Sequence, residues 1–301
     1  MKNKGSVLLS LLWFVAIRSQ RSQMGTASRV DTEDFRFFNL SDARTGNMLR
    51  AVTLPTTAID AGQLVEMYHL MTMHYDAVEY DCFTADLMEK DRLILLLDRE
   101  NAIQGFTTFM SYRVESPSTH MLVQILYSGD TIIDRQHWGS QALAFEWLRQ
   151  AGREKAQHPK VPLFWFLISK GPRTYRYLST FSRDYWPHHA HPPPNDISRL
   201  MHALATQRFG TYYRPEQGLV SFPSSRGQLR REFAMVDSAD RRRPEVNFFL
   251  KSNPGYVHGD ELVCLTELAS NNLKPLSRRI FEKGLQELKA QADASCLGTI
   301  A

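Results

Sequence analysis

Between Leu93 and Phe181 the chain sets out its elements in an order that few folds accommodate. Leu93-Ile94-Leu95-Leu96-Leu97 is a compact apolar run, and a turn-like gap at Asp98–Asn101 leads into a second strand-like segment, Ala102–Val114. Two such runs joined by a short polar gap read as a β-hairpin. After a turn at Ser116-Pro117-Ser118, Met121–Ile133 is a long strand rich in Leu, Val, Ile and Tyr. It stops at Asp134-Arg135-Gln136-His137-Trp138-Gly139-Ser140. Helical periodicity then begins at Ala142, with Leu143, Phe145, Trp147 and Leu148, and ends near Gly152. Val161–Ile168 is another strand, and Pro172–Phe181 is another helix after the break at Gly171. A hairpin followed by strands alternating with helices implies an α/β chain whose mixed, mostly antiparallel sheet carries helices on both faces.

The flanks are read in the same way. Ile59–Tyr75 carries Leu64, Val65, Met67, Tyr68, Met71 and Tyr75 at spacings that suit an amphipathic helix, and a short helix at Phe83–Lys90 has Thr84 as its expected cap. A linker rich in His and Pro runs from Trp186 to Pro194, followed by a helix at Asp196–Phe209 capped by Asn195 or Asp196. A strand near Gly218–Phe222, a polar irregular stretch at Ser224–Arg243, a turn at Asn253-Pro254-Gly255, a strand at Glu261–Leu268 and a closing helix at Leu273–Ala290 complete the chain. The sequence thus divides into a distinct N-terminus (1–23), a core (24–190) and an extension (191–301). The extension is expected to finish the sheet.

With 301 residues, 43% of them hydrophobic, the chain can bury one elaborated domain or two modest ones. It has 36 basic and 32 acidic residues, but five of the basic ones (Lys2, Lys4, Arg18, Arg21, Arg29) stand in the first 29 positions, where no acidic residue occurs. That leaves 31 against 32, and a near-neutral body offers no electrostatic footprint for nucleic acid. Arg241-Arg242-Arg243, with Arg230 and Arg231 nearby, is interleaved with Asp237 and Asp240 and reads as a solvated loop. Cys82, Cys264 and Cys296 are far apart, odd in number and without a CxxC pair, which argues against a disulfide framework or a structural zinc site. A reducing, cytoplasmic setting is the simpler expectation. His188, His189 and His191 sit among prolines without a spacing that would converge them, so no metal is expected. At the N-terminus, Lys2 and Lys4 precede an apolar run from Val7 to Ile17 closed by Arg18, a signal-like arrangement. The run is shorter than the ~20 residues a spanning helix needs. A start at Met24 and an uncleaved anchor both stay open, and membrane contact is expected only in the second case.

The passage from the long strand into the helix at 134–148 carries the functional reading. A short Gly-containing loop between strand and helix leaves several backbone N–H groups without intrahelical partners, and with the helix dipole these suit a pyrophosphate. The alternative is that Gly139 only serves a tight turn. Over roughly residues 59–182, the order of elements and this loop resemble the GNAT superfamily of acetyl-coenzyme A-dependent acyltransferases. That family's signature is Gln or Arg, two residues, Gly, one residue, then Gly or Ala. Gln136 and Gly139 match it, whereas Gln141 stands where the family has a small residue.

The resemblance implies transfer of an acyl group from acetyl-coenzyme A or another acyl-coenzyme A to a small-molecule amine or amino-acid-like acceptor. The donor would be held by Ile133, Gln136, His137, Trp138, Gly139, Ser140 and Gln141. It also implies a polar residue closing the next strand, here Ser169, and a tyrosine on the following helix, Tyr175 or Tyr177, which protonates the departing thiolate. Two tyrosines two positions apart on a helix face different ways, so only one can reach the sulfur. For a general base, Gln124, Tyr127, Ser128, Asp130 and Asp134 are candidates, as is an ordered water. Trp138, Trp147 and Trp165 read as core or pocket wall. Two other readings stay open: a donor that is carried on an acyl-carrier protein or bears a longer chain, and a GNAT-like binding module that has lost catalysis.

Overall fold

The computed structural model describes residues 40–41, 48–223 and 226–297; the segment 1–23, Met24 and the side chain of Cys296 lie outside them. Two strands, β1 (Leu40–Ser41) and β2 (Met48–Pro55), precede helix α1 (Ala61–His74). That helix opens with a reciprocal cap. The Asp60 carboxylate accepts from the Gln63 N–H at 2.8 Å, and the Gln63 side chain accepts from the Asp60 N–H at 3.2 Å. Then come β3 (Tyr75–Asp76), α2 (Tyr80–Glu89), the hairpin β4 (Arg92–Leu97) and β5 (Ile103–Glu115), and β6 (Leu122–Ile133). After α3 (Ala142–Gln157), β7 (Leu163–Ser169) and α4 (Pro172–Phe181), the chain continues through α5 (Asn195–Phe209), β8 (Tyr213–Arg214), β9 (Leu219–Val220) and β10 (Gln228–Leu229). It ends with α6 (Arg231–Ala234), α7 (Ser238–Arg241), α8 (Pro244–Ser252), β11 (Glu261–Glu267) and α9 (Pro275–Leu297).

Among the described residues nine strands form one sheet in the order β1-β2-β4-β5-β6-β7-β11-β9-β8, and every junction is antiparallel except β6 with β7. The fold is therefore the mixed, mostly antiparallel α/β arrangement that the sequence implies. Alternation along each strand divides the core between two faces. Leu126, Trp165 and Leu167 pack with α3, α4, α8 and α9 on one face, around Trp147, Phe181 and Phe249. Tyr127, Phe164 and Phe166 pack with α5 on the other. Helices α1 and α2 cover Leu93, Leu95 and Phe106 on that second face.

Helix α9 clamps α3. A Cβ placed on Gly152 would stand 2.0 Å from the Phe281 carbonyl oxygen, and one on Gly284 would stand 1.9 Å from that of Arg149. The two backbones therefore touch, and only glycine fits at either point. Arg149 donates to Glu146 at 2.8 and 2.9 Å and to Glu287 at 2.8 Å, which Arg153 also reaches. Both contacts fix the helix whose N-terminus borders the site described below.

Several local expectations need correction. Thr84 does not cap α2, which starts one turn earlier at Tyr80. The stretch after Ser224 is not wholly irregular: Gln228 and Leu229 pair with Asp76 and Tyr75, and α6 and α7 follow. Helix α8 begins with a proline in its first turn, where the missing N–H costs nothing. No helix among the described residues is long and apolar enough to cross a membrane.

Candidate functional site

The parallel junction opens partway along. Strands β6 and β7 pair from Gln124 with Leu163 to Tyr127 with Phe166, and there the ladder stops. Each strand keeps its outer partner beyond that point, β6 with β5 as far as Ile133 and β7 with β11 as far as Ser169. The inner edges thus part into a wedge lined by main-chain groups that have no strand opposite them. A bulge helps to part them: Gly129 and Asp130 together oppose Thr108, and an extra residue of this kind bends its strand. Open α/β sheets bind ligands in such crevices, at the carboxyl ends of parallel strands.

A cavity of about 840 Å³ lies at the mouth of this wedge. Its walls are the end of β6 (Thr131–Ile133), the loop 138–141, the first turns of α3, one face of α4 from Arg173 to Phe181, and Lys274–Ser277. His74, Tyr75, Leu229 and Phe233 close the end nearest α1. Because α3 and α4 lie on one face of the sheet and α1 on the other, the cavity is bordered by elements of both faces.

The loop is built by its own hydrogen bonds. Asp134 accepts from the Gln136 N–H at 2.8 Å and so caps a single 3₁₀ turn at Arg135–His137. The amides of His137, Trp138 and Ser140 also turn inward, to the carbonyls of Asp134, Arg135 and His137. The N–H groups of Gly139, Gln141, Leu143 and Ala144 find no acceptor among the described residues. Gly139 has φ +104°, in the left-handed region where a side chain would be strained, and nothing lies within 4 Å of its Cβ position. Four free donors at the positive end of α3 suit an anion.

Of the residues singled out from the sequence, Ile133, Trp138, Gly139, Ser140 and Gln141 line the cavity. Gln136 is exposed and off the wall, and His137 is buried behind it. The Trp138 indole N–H donates to the Ile133 carbonyl at 2.9 Å, and the Arg173 guanidinium lies 3.7 Å above the ring. With Arg176 and Lys274, Arg173 makes the rim basic.

The two tyrosines of α4 separate as helical geometry requires. Tyr175 is fully buried and donates to the Pro187 carbonyl at 2.7 Å, away from the cavity. Tyr177 is half-buried on the cavity wall, and burial pushes its phenol above the ordinary value. Ser169 is also buried, donating to the Gly171 carbonyl at 2.8 Å.

Several of the candidate bases are engaged elsewhere. Gln124 donates to Ser111 at 2.9 Å, Ser128 accepts from Trp165 at 2.8 Å, and Asp134 caps the loop. Tyr127 lies under the Arg208 guanidinium at 3.9 Å, and burial holds its phenol protonated. Asp130 differs, and it belongs to a charged network that sequence spacing does not reveal. Asp86 pairs with Lys90 at 2.7 Å, Glu261 with Lys170 at 3.4 Å and Glu89 with Arg208 at 3.3 Å. Asp130 is a fourth carboxylate, with no ion pair or hydrogen bond among the described residues. Burial first, then Asp86, raises its carboxyl above the ordinary range, partly offset by Lys170 and Lys90. Tyr75 borders this network, 5.8 Å from the Lys170 ammonium, and burial pushes its phenol up to about 12. Elsewhere, the ring of His188 stacks on that of His191 at 4.1 Å and is tilted against that of His189 at 4.3 Å.

No protein-family model matches the chain, and no curated protein matches it in sequence. Among solved structures it is similar to YhbS of Escherichia coli, a GNAT family N-acetyltransferase in complex with CoA. The identity is 15% over 44% of this chain and 69% of that one, with a TM-score of 0.31. It is also similar to NAA60 of Arabidopsis thaliana in complex with a bisubstrate analogue, at 12% identity over 45% and 87%, TM-score 0.33. A GCN5-related N-acetyltransferase from Kribbella flavida matches at 12% identity over 46% and 34%, TM-score 0.33. The chain spans only about a third of that protein, and 33% of a conserved Enterococcus faecalis protein that it also resembles.

Proposed function

We propose that this chain is an acyltransferase that moves an acyl group from a coenzyme A thioester to an amine. The observation that carries this reading is the cavity at the mouth of the wedge between the parted strands β6 and β7. It has free amides and a basic rim on one face and an unpaired carboxylate beside the other. Coenzyme A has the chemistry this cavity fits. Its pyrophosphate suits the N–H groups of Gly139, Gln141, Leu143 and Ala144, and Arg173, Arg176 and Lys274 suit its remaining phosphate. The amide groups of its pantetheine arm suit the unpaired edge of β6.

The amine nitrogen attacks the thioester carbonyl carbon, and the C–S bond breaks as the N–C bond holds. Tyr177 supplies the proton to the leaving sulfur; its burial keeps the hydroxyl protonated at neutral pH. Asp130, one residue from the cavity wall at Thr131, draws an ammonium toward the wedge because the neighbouring carboxylates already have partners. Gln141 is exposed at the cavity mouth, and the arginine-rich rim also suits an acidic acyl-carrier protein that presents the same pantetheine arm.

Calorimetry with acetyl-coenzyme A tests the donor. Gly139→Asp places a carboxylate in the anion site and should weaken binding by roughly 10- to 150-fold, against Gly139→Ala as the control for backbone strain. Gln141→Gly should tighten it. No binding to the wild type or to Gln141→Gly would overturn the coenzyme A reading. Activity with acyl-carrier protein alone would then assign the donor to the carrier, and donor binding without turnover would mark a binding module.

A further inference from the structure

His74 is the last residue of α1 and lines the end of the cavity nearest that helix. Its Nδ1 lies 3.0 Å from the Leu70 carbonyl oxygen. A carbonyl can only accept, so Nδ1 carries the proton, and Nε2 is left as a lone-pair acceptor. The side chain is buried, with 6% exposed, and stacks on Phe233 at 4.8 Å and 25°. Nε2 has no hydrogen-bond partner among the described residues. Buried polar atoms nearly always have a partner, so an orphan in a side chain beside a cavity points to one that arrives with a ligand.

The ring is also held in place. The Arg230 N–H donates to the His74 carbonyl at 3.0 Å, and the next residue, Tyr75, pairs with Leu229. Tyr75 in turn borders the network that contains Lys170, Glu261 and Asp130. An ammonium drawn toward Asp130 therefore arrives at the end of the cavity where the imidazole of His74 has a ring nitrogen without a partner among the described residues.

We propose that His74 is the general base for the acceptor, taking the amine proton at Nε2; this rests on the acyl-transfer reading above. The acceptor R–NH₃⁺ gives one proton to Nε2, and His74 later returns it to solvent. The freed nitrogen lone pair forms the N–C bond at the thioester carbonyl, and the C–S bond breaks. The sulfur takes the Tyr177 hydroxyl proton, and the second proton lost from nitrogen restores that hydroxyl. The products are the amide, the thiol and one proton. Nothing is oxidised or reduced.

Thiol release from acetyl-coenzyme A, measured on the full chain with phenethylamine, spermidine and glycinamide as probe acceptors, tests the assignment. Hydroxylamine serves as the comparison, because it is largely unprotonated at neutral pH and needs little help from a base. A positioned base contributes typically 10²- to 10⁴-fold. His74→Ala and His74→Gln should therefore lose roughly that factor with the alkylamines, far less with hydroxylamine, and nothing in acetyl-coenzyme A affinity by calorimetry. Added imidazole should restore alkylamine turnover to His74→Ala. Equal losses with both kinds of acceptor and no rescue would overturn the proposal, as would variants as fast as the wild type.

A wild type that binds acetyl-coenzyme A but acylates none of the alkylamines would overturn the base while leaving the donor reading standing. Absent donor binding would remove both. Nitrogen-15 NMR of the wild type gives a check independent of the variants' folding: the neutral ring should be the Nδ1–H tautomer, and an Nε2–H tautomer would refute the assignment.

Discussion

Tyr175 and Tyr177 stand two positions apart on α4 and should respond to the same substitution in opposite ways. Tyr177→Phe removes a hydroxyl from the cavity wall and should lower kcat by roughly 10²- to 10⁴-fold while acetyl-coenzyme A affinity and melting temperature hold. Tyr175→Phe removes the donor to the Pro187 carbonyl and should cost about 1 kcal/mol of stability with turnover preserved. Chemical denaturation and steady-state assays on the pair separate the two roles. A kcat loss in Tyr175→Phe equal to that in Tyr177→Phe would refute the division.

Asp130 makes a pH-dependent case. Its carboxyl is raised by burial and then by Asp86, so the folded chain binds that proton more tightly than the unfolded one. A raised group contributes stability that is fully present below the unfolded pKa of about 3.9 and is lost as pH rises through the folded value. Asp130→Asn cannot ionise, so it should melt above the wild type at pH 7, with the gap closing as pH falls toward about 4. A gap that widens on acidification would show that Asp130 is stabilised as the anion.

At the scale of elements, the two glycine contacts between α3 and α9 give the sharpest expectation. Alanine is favoured over glycine inside a helix by about 0.8–1 kcal/mol, so Gly284→Ala would stabilise an isolated helix. Here the new Cβ meets a backbone oxygen at 1.9 Å and must push the helices apart, and overpacking of that kind costs typically 1–3 kcal/mol. The packing cost should win, giving a net loss on denaturation; a net gain would mean that the helix pair can slide.

These elements were also the most legible part of the sequence. Periodicity located α1, the hairpin, β6, α3, β7 and α4 to within a few residues, because each buries a regular apolar stripe. It passed over β2, whose Arg50, Thr53 and Pro55 dilute the strand pattern, and α8, a short helix behind an arginine run. The loop and the two tyrosines came from the resemblance, which follows the order of elements along the chain. His74, Lys170 and Glu261 could not be read in that way, since they come from separate elements that only the closed sheet brings together.

At the scale of the whole molecule, the part beyond Trp186 supplies both a sheet neighbour and a clamp. Strand β11 pairs with β7 from Leu262 with Ser169 to Glu267 with Phe164, and α9 covers α3. A chain ending at Trp186 would leave β7 as an open apolar edge and bare the face of α3 that carries Gly152. It should be recovered as aggregate, or without a cooperative melting transition. A soluble, cooperatively melting fragment would show that the remainder is an independent domain.

The parting of β6 from β7 also bears on the order of events in turnover. The cavity is bordered by α3 and α4 at one end and by the last turn of α1 at the other, which gives donor and acceptor separate ends. Thioester and amine can then be resident together, with no need for the enzyme to store the acyl group between visits. Double-reciprocal plots at varied donor and acceptor should therefore intersect, and an unreactive coenzyme A analogue should compete with the donor but not with the amine. Parallel lines would mean that the acyl group rests on the protein, and that both molecules use one end of the cavity in turn.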